Sequence, residues 1–266
     1  MAKRDLTGAV VVVTGAAGGL GAAIAHRFVH DGARLALVDV DGDRLADVAN
    51  AVPGSFAVVC DLTDPVACEQ AIAGVVERFG GVDVLVNNAG MTHRSPFVST
   101  DPAVIRKVME VNYLGSVNIT KAALPSLIER RGAIAVISSV AGFAPVLGRT
   151  GYAGSKHALH GLFDTLRAEL RLFGVDVTIV APTFVDTKMQ DRALGGDGGV
   201  TEHPQSRVGK QITPDEVADR VYRGIERRKR SVVIGSVGHL ARAMTAVVPG
   251  LYERMMARSL RSELDR

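Results

Sequence analysis

The sequence is poor in cysteine, proline and charge, and each shortage removes a class of protein. Two cysteines in 266 residues, Cys60 and Cys68, build neither a disulfide framework nor a zinc site on their own. Both are expected as buried or half-buried free thiols in a reducing compartment. Ten prolines form no linker, and the 29 glycines follow no collagen-like period, so the glycines are expected at specific turns and close contacts. A charged fraction of 22% beside 47% hydrophobic residues argues against a disordered chain. A net charge of +3 makes no case for nucleic acid, which needs basic residues clustered on one surface. Nor is there a convincing membrane span. Residues 6–25 are uncharged, but they hold five glycines and a β-branched run. They read as a buried strand, a glycine turn and a helix start, not as a signal peptide.

The charge that is present is unevenly placed. From Arg220 onward there are eleven Lys/Arg against four Asp/Glu, an excess of seven, so the first 219 residues carry a net −4. The chain is a mildly acidic body with a basic C-terminal tail.

Short apolar, β-branched runs recur at 9–13, 34–38, 56–59, 82–86, 134–137, 176–180 and 231–234. They are continuous, not alternating, as parallel strands covered on both faces should be. Helical patterns fill 19–31, 43–51, 64–79, 101–129 and 151–173, and another helix opens at Thr213. Asp64-Pro65 and Asp101-Pro102 read as caps followed by a first-turn proline. The alternation predicts an α/β fold, a doubly wound parallel sheet of about seven strands. One domain is expected over 1–235, with 236–266 as its helical extension. The weakly periodic stretch 183–213, with its glycine patch 195–199, is long for a structureless loop and is expected to be functional or mobile.

The first strand runs into Thr14, Gly15, Gly18, Gly19 and Gly21 and then a helix. Glycines there permit a tight turn and close approach to a pyrophosphate, which the free N–H groups of the helix N-terminus attract. Asp39 ends the next strand, 18 residues past Gly21, with no Lys or Arg immediately after it. A carboxylate in that place accepts hydrogen bonds from ribose hydroxyls of NAD and repels the 2′-phosphate of NADP. NAD is therefore the expected cofactor and NADP the less favoured one. Asp61 is placed either to bond the adenine amino group or to serve as a turn cap. Asn87-Asn88-Ala89-Gly90 either stabilises the sheet or floors the cofactor site, Gly90 supplying backbone freedom.

Tyr152 and Lys156 stand four residues apart at the start of a helical stretch, on one face. A phenol is a poor acid or base near neutrality, and a nearby ammonium favours its ionised form. Ser138-Ser139 ends the fifth strand, at the sheet end where ligands bind, and Asn112 lies in the preceding helical stretch. Together they offer a hydroxyl for a substrate oxygen, a phenol for proton transfer, an ammonium, and an amide to position a water.

On these residues, in this order, the sequence resembles the short-chain dehydrogenase/reductase superfamily over most of 7–235. The resemblance implies a Rossmann-like fold and a catalytic set of Asn112, Ser139, Tyr152 and Lys156. Tyr152 is then the acid/base, Lys156 binds the ribose and tunes Tyr152, Ser139 orients the substrate oxygen, and Asn112 holds a relay water. The implied cofactor contacts are Gly15, Gly18, Gly19, Leu20, Gly21, Asp39, Asp61, Leu62, Asn88, Ala89, Gly90, Tyr152, Lys156, Pro182, Val185 and Thr187. The chain is too short for the second domain of the related sugar-nucleotide epimerases. It departs from the pattern at Pro182-Thr183, where the family has Pro-Gly.

Loops at the same sheet end supply an apolar substrate pocket, expected from Phe143, Val146, Phe184 and Met189, with Arg94, Arg149 and Lys188 as rim cations. A lipophilic alcohol or ketone fits this best; a 3-oxoacyl group on a carrier or CoA is the alternative, and a dinucleotide-binding sensor without turnover the remote one. His93, His157 and His160 are read as solvent or packing residues, and no metal is expected. The tail alternates apolar residues with arginines at helical spacing, split at Pro249-Gly250. It either lies on an anionic membrane surface, covers the cleft, or packs on a partner subunit. The expected setting is the cytoplasm, with that tail as the point of any peripheral membrane contact, and the expected assembly a homodimer or homotetramer.

Overall fold

A computed structural model describes residues 2–187, 189–201 and 209–263. Lys188 and part of the glycine-bearing stretch named above lie outside them. Seven strands form one all-parallel sheet: β1 (Val10–Thr14), β2 (Arg34–Asp39), β3 (Phe56–Val59), β4 (Val84–Asn87), β5 (Ala133–Ile137), β6 (Asp176–Pro182) and β7 (Ser231–Ile234). Their order is β3-β2-β1-β4-β5-β6-β7. The order reverses between β1 and β4, which opens a crevice at the carboxyl ends of the strands.

The valine run of β1 shows why these strands are uniformly apolar. Successive side chains point to opposite faces. Val11 and Val13 meet Phe28 of α1 (Gly19–His30) and Val217 and Tyr222 of α7 (Pro214–Glu226). Val10 and Val12 join Val75 of α3 (Pro65–Phe79), Ile119 of α5 (Gly115–Glu129) and Phe163 of α6 (Thr150–Leu170). Each fully buried side chain of this kind contributes about 2 kcal/mol. The doubly wound α/β architecture follows from helices covering both faces.

Helix starts follow their caps. Asp64 accepts N–H bonds from Val66 and Ala67 at the start of α3, and Asp101 from Ala103 at the start of α4 (Pro102–Met109). The single helix expected over 101–129 is in fact α4, a π-helical turn at Glu110–Leu114, and α5. The wide turn swings Asn112 fully inside. Helix α2 (Gly42–Ala51) lies between β2 and β3.

Beyond β7 the chain turns through Gly235 (φ 94°) into α8 (Ser236–Val247) and α9 (Pro249–Ser259). Ala241 and Tyr252 pack on Val140 and Ala144, after β5. Leu240, Val247, Leu251 and Met255 are exposed on the outer side. Among the described residues, no helix is long and apolar enough to cross a membrane. Cys60 and Cys68 are free and buried.

Candidate active site

A cleft of about 1640 Å³ runs along the carboxyl ends of the strands. One half is built by the glycine loop. Gly15 has φ 65°, and a side chain there would put its Cβ 2.7 Å from Cα of Ala89. A Cβ on Gly21 would lie 2.1 Å from the carbonyl oxygen of Gly15, so α1 reaches the strand only without one. The loop is pinned from β4: Asn88 Nδ2 donates to the carbonyls of Thr14 (2.9 Å) and Gly15 (3.2 Å). This cradle leaves the N-terminus of α1 facing the cleft, with no acidic residue in its first turn. That is the donor set for a pyrophosphate, so the residues present fit a dinucleotide.

Asp39 marks the far end of this half. Its carboxylate accepts N–H bonds from Ala17 and Asp41, both at 3.0 Å. Arg44, which the sequence reading passed over, also lines the cleft there, with its guanidinium paired to Asp41. Asp61 accepts from the Thr63 backbone (2.9 Å) and hydroxyl (2.8 Å), so it makes a turn while lining the cleft. Leu20, Leu62, Ala89 and Gly90 line it too, as do Pro182, Val185 and Thr187. The methyl of Thr187 comes close to Gly19, so the loop after β6 folds over the glycine loop. Asn87 does not line the cleft. It is buried with Nδ2 donating to Thr120 Oγ1 (2.9 Å), a structural role.

The other half holds the reactive groups. Ser139 stands two residues past the end of β5, its hydroxyl accepting the Ala141 N–H (3.2 Å) and lying near enough to the Tyr152 phenol to lower it. Ser138 instead bonds His160 Nε2 at 2.9 Å, so only the second serine of the pair meets the phenol. Lys156 sits one turn beyond Tyr152, its Nζ donating to the Ile137 carbonyl (2.9 Å) and 5.6 Å from the Tyr152 ring centroid. Burial pushes Lys156 down to about 8. It raises the Tyr152 phenol above its ordinary range, against the opposing influence of the Ser139 hydroxyl and the Arg149 charge. Arg149 thus stands as a second cation near the phenol, beside the Lys156 that the sequence pointed to.

Two sequence expectations need correction. Phe143 is not part of the cleft lining. Its ring stacks edge-on to His160 at 6.1 Å and lies under Arg242, in the apolar cluster beneath α8 and α9. Asn112 does not line the cleft either. Its Nδ2 donates to the Met91 carbonyl and Ser155 Oγ, both at 2.9 Å, and its Oδ1 accepts from Met91 N–H at 2.8 Å. Both amide hydrogens are committed to protein partners, so the side chain fixes the chain segment after Gly90 and does not hold a water through them. Val146, Phe184 and Met189 do line the cleft, joined by Tyr252, Met256 and Leu260 from the C-terminal segment.

Thr183, the departure from the family pattern, is accommodated by two glycines. A Cβ at Gly235 would come within 2.7 Å of Thr183 Oγ1, and one at Gly238 within 3.2 Å of its methyl.

Comparison with known proteins agrees with this geometry. A family model described as short chain dehydrogenase matches residues 9–195. The "Dehydrogenase/reductase SDR family member 7B" of Bos taurus is 37% identical over 96% of this chain and 82% of its own length. The "Dehydrogenase/reductase SDR family protein 7-like" of Drosophila melanogaster is 35% identical over 96% and 82%. A short chain dehydrogenase from Burkholderia cenocepacia, solved in complex with NADP, superposes with a TM-score of 0.82 at 26% identity, covering 95% of this chain and 99% of that one. One from Burkholderia phymatum, in complex with NAD, gives 0.79 at 24% identity, covering 97% and 96%. The chain belongs to the short-chain dehydrogenase/reductase family.

Proposed function

We propose that the protein is an NAD-linked oxidoreductase that interconverts a lipophilic secondary alcohol and its ketone. The observation that carries this reading is the grouping of Ser139, Tyr152 and Lys156 on the cleft wall, with Lys156 one helical turn from the phenol. A substrate oxygen placed against both hydroxyls receives a donor from Ser139 and exchanges its proton with Tyr152. Bound in the cleft, the nicotinamide dinucleotide supplies the hydride acceptor for the alcohol, or the donor for the ketone. Lys156, fixed on the Ile137 carbonyl, presents positive charge beside the phenol and favours phenolate as the proton leaves the alcohol.

Asp39 supports NAD over NADP, because a 2′-phosphate would meet its carboxylate while Arg44 is held by Asp41. The apolar lining of Val146, Phe184, Met256 and Leu260 supports a lipophilic substrate. A second reading, reduction of a 3-oxoacyl group on a carrier or CoA, is favoured by the exposed cations Arg106, Lys107 and Arg192 at the cleft mouth. Strong dependence on the carrier moiety would select it.

Tyr152→Phe tests the chemistry. Turnover is expected to fall about 10²- to 10⁴-fold, the usual contribution of a positioned acid/base, while NADH binding persists. Turnover at the wild-type rate would remove Tyr152 from the mechanism.

A further inference from the structure

Two guanidiniums are buried on the substrate side of the cleft. Arg149 is 5% exposed and Arg94 6%, and both line the cleft wall. Gln190 joins them: its side-chain oxygen accepts from Arg149 Nη1 (3.3 Å) and its carbonyl from Arg94 Nη2 (3.1 Å). Arg149 occupies the cap position of α6, three residues before Tyr152. Among the described residues, no carboxylate lies within 4 Å of Arg149, and the bond to Gln190 is the one hydrogen bond its guanidinium makes. Glu263 acts on it from farther away. Arg149 lines the cleft, and the rest of its planar five-donor fork makes no other hydrogen bond among the described residues. Burying a charge without a close partner is costly, and the cost is retained where a ligand completes the pair.

We propose that Arg149, with Arg94 beside it, binds an anionic group of the substrate, a carboxylate or a phosphate. The inference rests on the alcohol/ketone reading above and deepens it. Residues three apart at a helix start have Cβ atoms about 5–6 Å from each other, so an anion on Arg149 lies only a few bonds from the carbon whose oxygen meets Tyr152. The glycine loop takes the phosphates of the dinucleotide at the N-terminus of α1, so this second cationic wall serves the other ligand. The apolar residues Val146, Met256 and Leu260 then surround the remainder of an amphiphilic molecule.

The test uses matched ketones with NADH: oxo acids against their methyl esters, and a ketone phosphate monoester against its free alcohol. The charged member of at least one pair is expected to show kcat/KM about 10- to 100-fold higher, the range of hydrogen bonds to a charged group. The carboxylate and phosphate arms separate the two sources of charge. Arg149→Met should collapse that preference, read as the charged-to-neutral ratio of kcat/KM so that any common effect on the Tyr152 phenol cancels, and Arg149→Lys should restore part of it, because lysine keeps the charge and loses the fork. Equal kcat/KM within both pairs, or a preference unchanged in Arg149→Met, would overturn the proposal. Should no ketone in the set turn over, calorimetric titration of acid and ester into the NADH-saturated enzyme decides the same question, equal affinity overturning it. Failure of the underlying reading is visible separately, as turnover that survives Tyr152→Phe.

Discussion

A neutral imidazole holds the first turn of α6. His93 is fully buried, its Nε2 accepts the Gly151 N–H at 2.8 Å, and its Nδ1 faces Ser95 Oγ at 3.3 Å. An Nε2 that accepts a backbone N–H carries no proton, so the proton is on Nδ1. Burial pushes His93 down to about 4, from 6.5. The unfolded chain then binds the extra proton between those values. The His93 contribution is complete above pH 6.5 and is lost as pH falls toward 4, by up to about 3 kcal/mol. Thermal melts of wild type and His93→Gln over pH 4–8 should show a steeper acid loss in wild type; parallel profiles would contradict the assignment. In the sequence His93 was one more lone histidine, and only the fold places it against Gly151, the residue before Tyr152. Arg149 and Phe143 make the same point from opposite sides, one a rim cation that is buried, the other a pocket residue that packs elsewhere. The place of Asp39, at the end of β2 and on the cleft wall, was legible because strand position alone sets it. Asp39→Ala should weaken NAD and narrow the NAD-to-NADP ratio of kcat/KM about tenfold or more, by loss of a charge-assisted bond; an unchanged ratio would remove the electrostatic argument for NAD.

Elements were readable where one physical rule decides them. The continuous β-branched runs could only be strands covered on both sides, and their ends moved by a residue or two where the ladder stops. The π-helical turn at Glu110–Leu114 escaped because its sequence is ordinary helix; directly after it, Gly115 leaves room for the Leu62 side chain, which a Cβ there would meet at 3.0 Å. The join from β7 to α8 is a further case. Gly235 has φ 94° and ψ 141°, a region essentially reserved for glycine, and faces Thr183. Gly235→Ala should therefore cost about 2 kcal/mol in backbone strain. For a chain of this size that is a fall in Tm of roughly 4–8 °C. Adding Thr183→Gly relieves the contact but leaves the strain, so only part of the loss should return. Full recovery would mean the contact alone was responsible.

At the scale of the molecule, the basic tail divides into two parts with different places. Arg228 pairs with Asp176 at the amino end of β6 (2.7 Å), beside Arg4, which makes the same bond at 2.7 Å; this part lies at the opposite end of the sheet from the cleft. The later part, α9 and the turn after it, returns to the cleft. Tyr252 is buried with its hydroxyl donating to the Pro145 carbonyl (3.4 Å), and Met256 and Leu260 join it in the lining. Charge counting along the sequence could not separate these parts, because the division depends on where β7 ends. Part of the cleft wall is thus supplied by α9 and the turn after it. Met256→Ala removes part of that wall. Its expected effect is a KM that rises with the chain length of the ketone, by roughly tenfold for the longest, since a fully buried side chain of this type contributes about 1.5–3 kcal/mol. NADH affinity should stay the same, because the cradle of Gly15 to Gly21 is built by other elements. The measurement is KM along a series of straight-chain ketones beside a fluorescence titration of NADH. A uniform rise in KM at every length would place Met256 outside the path of the substrate's tail.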